Sequence, residues 1–337
     1  MAWDDRLLGR SRAPETPHPS APIPVQGPAV GAGLRIPLGE SGFSVFPLIL
    51  GGGDFGWTTD LPTAHQALDR YVELGGNAVH TSDSYGAGRS EHIVGSWIES
   101  RGLRESVVVT ARVGAHEDHP GLGPVALVRG VEATLTRLRV DVIDVLYLDA
   151  TRDSTPLEEV LATVDWLVGA GKVRAVGAYG LRPEALVEAR IYASAGYPRL
   201  TVADVPYNLV RRSEFEGDMR LVVGAQQIAL TPSHPLEHGF LSGAQRQRQR
   251  IVLSVRAAQL ASNLNRRGTR VLRAMDGIGA ELGVSNAAIA IAWLLAQSSV
   301  VAPVVNAQDA DRVSDLVQGV GVRLTRAHLA ELARALD

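Results

Sequence analysis

NAVHTSDSYGAGRSEHIVG, residues 77–95, changes character halfway along. Ala78 and Val79 read as the end of a buried strand, and then His80, Ser82, Asp83, Ser84 and Tyr85 follow in quick succession. These side chains fall in one short turn, and the residues that follow, GRSEHIVGSWIESRG, have helical spacing. A strand that delivers so many hydroxyl and ionisable groups into one turn marks either a plain polar loop or the edge of an active site. The rest of the chain decides between them.

The same strand-then-helix pattern repeats outward from this stretch. Short apolar or β-branched runs occur at FPLIL (46–50), NAVHT (77–81), SVVVTA (106–111), DVIDVLYL (141–148), KVRAVGA (172–178), TVADVPY (201–207), QQIAL (226–230) and VVAPVV (300–305). Helical spacing fills the intervals, as in LPTAHQALDRYVELG (61–75) and PLEEVLATVDWLVGAG (156–171). Continuous apolar strands imply a parallel sheet covered on both faces by helices. Eight such units fit a single (β/α)8 TIM barrel over residues 35–337. The alternative is an open doubly wound sheet, which would normally carry a G-x-G-x-x-G turn; GGGDFG (51–56) lacks that spacing. Residues 1–34, rich in Pro, Ala and Gly, read as an N-terminal extension, and LRIPLGESGFSV (34–45) as a hairpin ahead of the barrel.

In a barrel, function gathers where strands end. Those ends supply Gly51 to Asp54, His80, Asp83, Tyr85, Arg112, Asp149, Tyr179, Asp204, Tyr207, Asn208, Thr231, Ser233, His234, Asn306 and Gln308. The single lysine, Lys172, falls at a strand start, on the opposite rim, which argues against a Schiff-base mechanism. No cysteine is present, so thiol, disulfide and iron–sulfur chemistry is excluded. A formal net charge of −3 gives no reason to expect nucleic acid or an anionic membrane as a partner. No signal-like or membrane-length apolar run stands out, so the cytoplasm is the expected compartment and a small molecule the expected ligand.

Taken in order from about Leu34, these motifs resemble the aldo-keto reductase family. NAVHTSDSYGAGRSEHIVG is similar to its second-strand signature, VDVIDVLYLD (140–149) to its fourth strand, VPYNLVRR (205–212) to the segment after the sixth, and PLEHGFLSG (235–243) to the loop after the seventh. The resemblance implies NADP(H)-dependent reduction of carbonyls by a tyrosine that acts as general acid, supported by a lysine, an aspartate and a histidine. Such proton transfer contributes roughly a hundred- to ten-thousandfold in rate.

Carried over residue by residue, Tyr85 matches the tyrosine, while Arg112 stands for the lysine, His80 for the aspartate and Asp149 for the histidine. Asp and His have exchanged strands, and the cation has become a guanidinium that cannot shuttle a proton. The expectation is that Asp149 pairs with Arg112 and that His80 lies beside Tyr85. For the cofactor, the resemblance implies contacts from Gly51 and Gly52, from Tyr179 in place of a serine, from Asp204 in place of a glutamine and from Leu230 in place of an aromatic. Gln308 replaces an arginine that grips the 2′-phosphate, and Leu316 an asparagine at the adenine. Loss of a guanidinium removes a charge-assisted contact. The activity is therefore expected to be weak, altered or lost. The rivals are a non-catalytic barrel that binds a small molecule or a protein, and a non-redox enzyme using His80 and Asp149. QRQRQR (245–250) reads as a solvated basic loop and HEDH (116–119) as a wet loop rather than a metal site.

Overall fold

The computed structural model describes residues 33–244 and 257–336. Most of the N-terminal extension and all of QRQRQR lie outside the described residues. The chain starts with an antiparallel hairpin, β1 (Ile36–Pro37) and β2 (Ser44–Val45). Eight parallel strands follow: β3 (Ile49–Gly51), β4 (Ala78–Ser82), β5 (Val108–Val113), β6 (Ile143–Asp149), β7 (Val173–Tyr179), β8 (Leu200–Asp204), β9 (Ala229–Leu230) and β10 (Val304–Asn306). Their order in the sheet is β10-β3-β4-β5-β6-β7-β8-β9. The two ends meet: Val301 N donates to Leu230 O at 2.9 Å and Val304 N to Pro232 O at 2.9 Å, joining β9 to the run into β10. The expected (β/α)8 barrel is thus the observed architecture.

Helices α1 (Leu61–Glu73), α2 (Arg89–Arg101), α3 (Pro124–Leu138), α4 (Leu157–Gly169), α5 (Pro183–Ser194) and α6 (Asp218–Ala225) cover the outside, with further helices between β9 and β10 and after β10. Local sequence sets their ends. Asp60 caps α1 by accepting from Thr63 N at 3.0 Å, a contact worth about 1 kcal/mol. Pro62 takes the first turn, where its missing N–H costs nothing. No described helix is long and apolar enough to cross a membrane.

The pleat sorts each strand into an outer and an inner set. Outward residues such as Leu50, Val79, Val109, Leu146 and Val176 join the layer beneath the helices. Inward residues Ile49, Ala78, Val145, Ala175, Val202, Ala229 and Val304 pack with Leu38 and Val45 of the hairpin, which plugs the N-terminal end. The next inner layers hold His80, Thr110, Arg112, Asp149 and Asp204, all 8% exposed or less, at the mouth. Some expected strands are shorter than their apolar runs. Gln227 adopts φ +56°, which turns the chain, so QQIAL pairs only at Ala229–Leu230.

Candidate functional site

The turn after β4 is built from left-handed residues. Gly86, Ala87 and Gly88 have φ of +58°, +54° and +84°, a conformation easy for glycine and uncommon for alanine. The residues around Tyr85 act as scaffold. Asp83 accepts from Gly114 N at 2.9 Å and His116 N at 3.2 Å, tying down the loop after β5. Ser90 bonds Thr81 Oγ1 at 2.9 Å and donates to Gly52 O at 2.8 Å. Glu91, fully buried, accepts from Thr134 at 2.8 Å and pairs with Arg137, locking α2 to α3. Tyr85 remains, facing the mouth of the barrel.

Arg112 is the centre of the cluster. Its Nη2 donates to Tyr85 Oη at 3.5 Å, and its guanidinium stacks 4.1 Å from the Tyr179 ring centroid. Its Nε lies 3.4 Å from Asp149 Oδ2; the angle is too poor for a hydrogen bond, so this contact is an ion pair. Asp149 Oδ1 is held by the Thr151 amide at 3.1 Å and by its hydroxyl. Register places Asp149 beside Tyr179 and Tyr179 beside Asp204.

His80 has a definite tautomer. Thr110 donates its only hydroxyl proton to Val79 O at 3.1 Å, so it must accept from His80 Nδ1 at 2.8 Å. Nε2 is then a bare acceptor, buried and without a hydrogen-bond partner. The His80 ring meets Tyr85 edge-on at 6.2 Å and Tyr147 at 5.3 Å.

Burial and Arg112 set the charges. Burial, with the nearby Arg112 cation, pushes His80 down to about 3, so the ring is neutral. Burial raises Tyr85; Arg112 opposes this, while Asp204, Asp149 and Asp54 reinforce it. Burial works against the Arg112 charge, yet Tyr85, Asp204, Tyr179 and Asp149 raise its pKa overall. Burial lifts Asp204 to about 6 even though Arg112 and Ser233 pull it down. The Ser233 hydroxyl and amide lie close enough to the Asp204 carboxyl to lower its pKa, although neither Asp204 Oδ1 nor Ser233 Oγ has a partner in good hydrogen-bond geometry.

A cavity of about 830 Å³ opens above this cluster. Tyr85, Arg112, Asp204, Ser233, Gln308 and Leu316 line it. His80, Asp149 and Tyr179 lie outside the lining, His80 and Tyr179 against Tyr85 and Arg112, Asp149 against Arg112. Gly51 and Gly52 are also outside it: a Cβ on Gly51 would lie 2.5 Å from Asn306 Oδ1, and on Gly52 2.3 Å from Ser90 Oγ. Gly53 is the glycine of that run at the cavity. Leu230 is fully buried in the outer layer because the pleat turns Ala229, not Leu230, inward. Arg89, Trp57 and Arg312 line the cavity without having stood out in the sequence. For Arg312 a signal existed: it is the residue whose amide Asp309 caps, at the start of the helix after β10. HEDH carries stacked His116 and His119 rings, and among the described residues no cluster of His, Asp and Glu could hold a metal. A more open groove of about 980 Å³, lined by Leu74, Leu282 and Val322, shares Asp315 with this cavity but none of the Tyr85–Arg112 cluster.

A model for the Aldo/keto reductase family matches residues 47–337. The chain is 29% identical to norsolorinic acid reductase of Emericella nidulans, over 93% of this chain and 84% of that protein. It is 27% identical to an uncharacterized oxidoreductase of Bacillus subtilis, over 88% and 93% respectively. It is also 28% identical to a probable voltage-gated potassium channel subunit beta of Oryza sativa, over 85% and 90%.

Proposed function

This chain belongs to the aldo/keto reductase family, and from that premise we propose that it binds a small molecule at the barrel mouth while its carbonyl–alcohol oxidoreduction with NADP(H) is weak, altered or lost. The carrying observation is the state of Tyr85. It faces the cavity beside a guanidinium that Asp149 and Asp204 already offset, and its pKa is raised rather than lowered. A general acid works best with a pKa near the working pH. A phenol pushed away from that range donates poorly. Neither neighbour can replace it. Arg112 holds its proton, and His80 turns a proton-free Nε2 on a neutral ring.

NADP(H) is the cofactor the family implies, and the residues present do not fit it in the usual manner. A buried carboxyl, Asp204, occupies the position of a neutral amide, and Gln308 carries no charge for a 2′-phosphate. Arg312 on the same wall offers a guanidinium, 3.8 Å from Asp315, which offsets it. The reading is tested by fluorescence titration of the purified protein with NADPH and NADH. Weak or absent binding of both is expected. Tight saturable binding, followed by stereospecific hydride transfer to an aldehyde, would restore the ordinary reductase.

A further inference from the structure

We propose that the inner end of the cavity is a binding site for a small organic ammonium ion, held by Asp204 and Ser233 over the Tyr85 ring. This deepens the small-ligand reading above and rests on it. Asp204 is 2% exposed, lines the cavity, and leaves Oδ1 without a hydrogen-bond partner. Ser233 Oγ, beside Asp204 in the wall of the same cavity, is also without a hydrogen-bond partner of good geometry. A buried polar atom left unpaired is costly, and a ligand that supplies the missing donor recovers that cost. Asp204 Oδ1, when ionised, can only accept, and Ser233 Oγ can accept as well as donate, so a ligand that brings N–H or O–H groups can satisfy both.

Charge selects among donors. The groups acting on Asp204 are Tyr85 from the loop after β4, Arg112 from β5, Tyr147 and Asp149 from β6, Tyr179 from β7 and Ser233 from the loop after β9, while Asp54, His234 and His238 line the same cavity and His80 lies against Tyr85. His80 and the tyrosines are neutral at pH 8. In the buried cluster, Arg112 then stands as one cation against the carboxyl groups of Asp149, Asp204 and Asp54. An anionic ligand would add a further negative charge. A neutral alcohol would satisfy one acceptor and leave the charge unbalanced. An ammonium group offsets the surplus and carries several donors, and charge-assisted hydrogen bonds are roughly twice as strong as neutral ones. A metal ion is a poorer match, because no cluster of three His, Asp or Glu ligands exists among the described residues. Leu236, Leu260 and Leu316 line the same cavity and give an apolar wall for the body of the ligand.

The test uses the full chain and three matched probes: benzylamine, benzyl alcohol and benzoate, titrated calorimetrically at pH 8 and pH 5. Benzylammonium is expected to bind tightest at pH 8 and about tenfold or more weaker at pH 5, where Asp204 takes a proton. Asp204→Asn is expected to lose the same factor at pH 8 and to lose the pH dependence. Asp204→Gln serves as the second variant, with the thermal transition of each checked alongside. Binding of benzoate or benzyl alcohol as strong as that of the amine overturns the proposal, as does an amine affinity indifferent to both substitutions or absent altogether. The NADPH titration on the same samples separates the two readings. Fast aldehyde reduction together with Asp204-dependent amine binding would sink the weak-reductase reading and leave the ammonium site standing.

Discussion

His80 and Asp204 are buried in one cluster with pKa values displaced in ways that oppose each other in the stability of the fold. His80 is pushed from 6.5 to about 3 by burial and Arg112. Between those values the unfolded chain binds a proton there and the folded chain does not, so stability falls as pH falls. Asp204 is pushed from 3.8 to about 6, chiefly by burial. Between those values the folded chain holds the proton, so stability falls as pH rises. Each group contributes a slope of about 1.4 kcal/mol per pH unit, and from pH 4 to pH 6 the two slopes cancel, each amounting to about 3 kcal/mol. Urea unfolding of the wild type, Asp204→Asn and His80→Gln at half-unit steps from pH 4 to pH 8 reveals both. Relative to wild type, Asp204→Asn should gain about 3 kcal/mol between pH 4 and pH 6 and then level off. His80→Gln should gain a similar amount in the opposite direction, from pH 6 down to pH 4. Profiles that stay parallel to the wild type would refute the burial of both groups in one low-dielectric cluster.

Removing the central cation has a one-sided cost. Arg112→Met removes the ion pair to Asp149 and the cation whose charge acts on Asp204, and should destabilise by about 3–5 kcal/mol in urea at pH 7. Arg112→Lys should cost less but still lose the stacking on Tyr179, so its midpoint should fall between the other two. Gly52→Ala should cost about 1–3 kcal/mol by overpacking, and much less in a Ser90→Ala background, because the nearest clash is with Ser90 Oγ at 2.3 Å. Equal costs in both backgrounds would show that the contact does not limit the position.

The barrel was legible because buried parallel strands announce themselves as continuous apolar runs, and because the polar cluster from His80 to Tyr85 breaks one such run at a turn. Inward residues at strand ends could also be assembled by counting from those runs, which brings Arg112, Asp149 and Asp204 to one rim. Parity was harder to see. A slip of one residue exchanges inside for outside, and it separates Leu230 in the outer layer from Ala229 in the barrel. Motif residues also mixed roles that sequence cannot sort: Asp83, Ser90 and Glu91 share the Tyr85 signature, yet their bonds run to backbone and to α3. The unpartnered Asp204 Oδ1 was not legible at all, since it depends on side-chain positions in the folded mouth, where Arg112 Nε approaches Asp149 and Ser233 Oγ misses hydrogen-bond geometry.

The most direct test of the Tyr85–Arg112 arrangement is single-turnover hydride transfer from deuterated NADPH to an aldehyde panel. It should compare the wild type, Tyr85→Phe and the triple variant His80→Asp, Arg112→Lys, Asp149→His. The expected result is little or no transfer by the wild type, no further loss in Tyr85→Phe, and a gain of about a hundredfold or more in the triple variant. Rapid stereospecific transfer by the wild type, abolished in Tyr85→Phe, would contradict it.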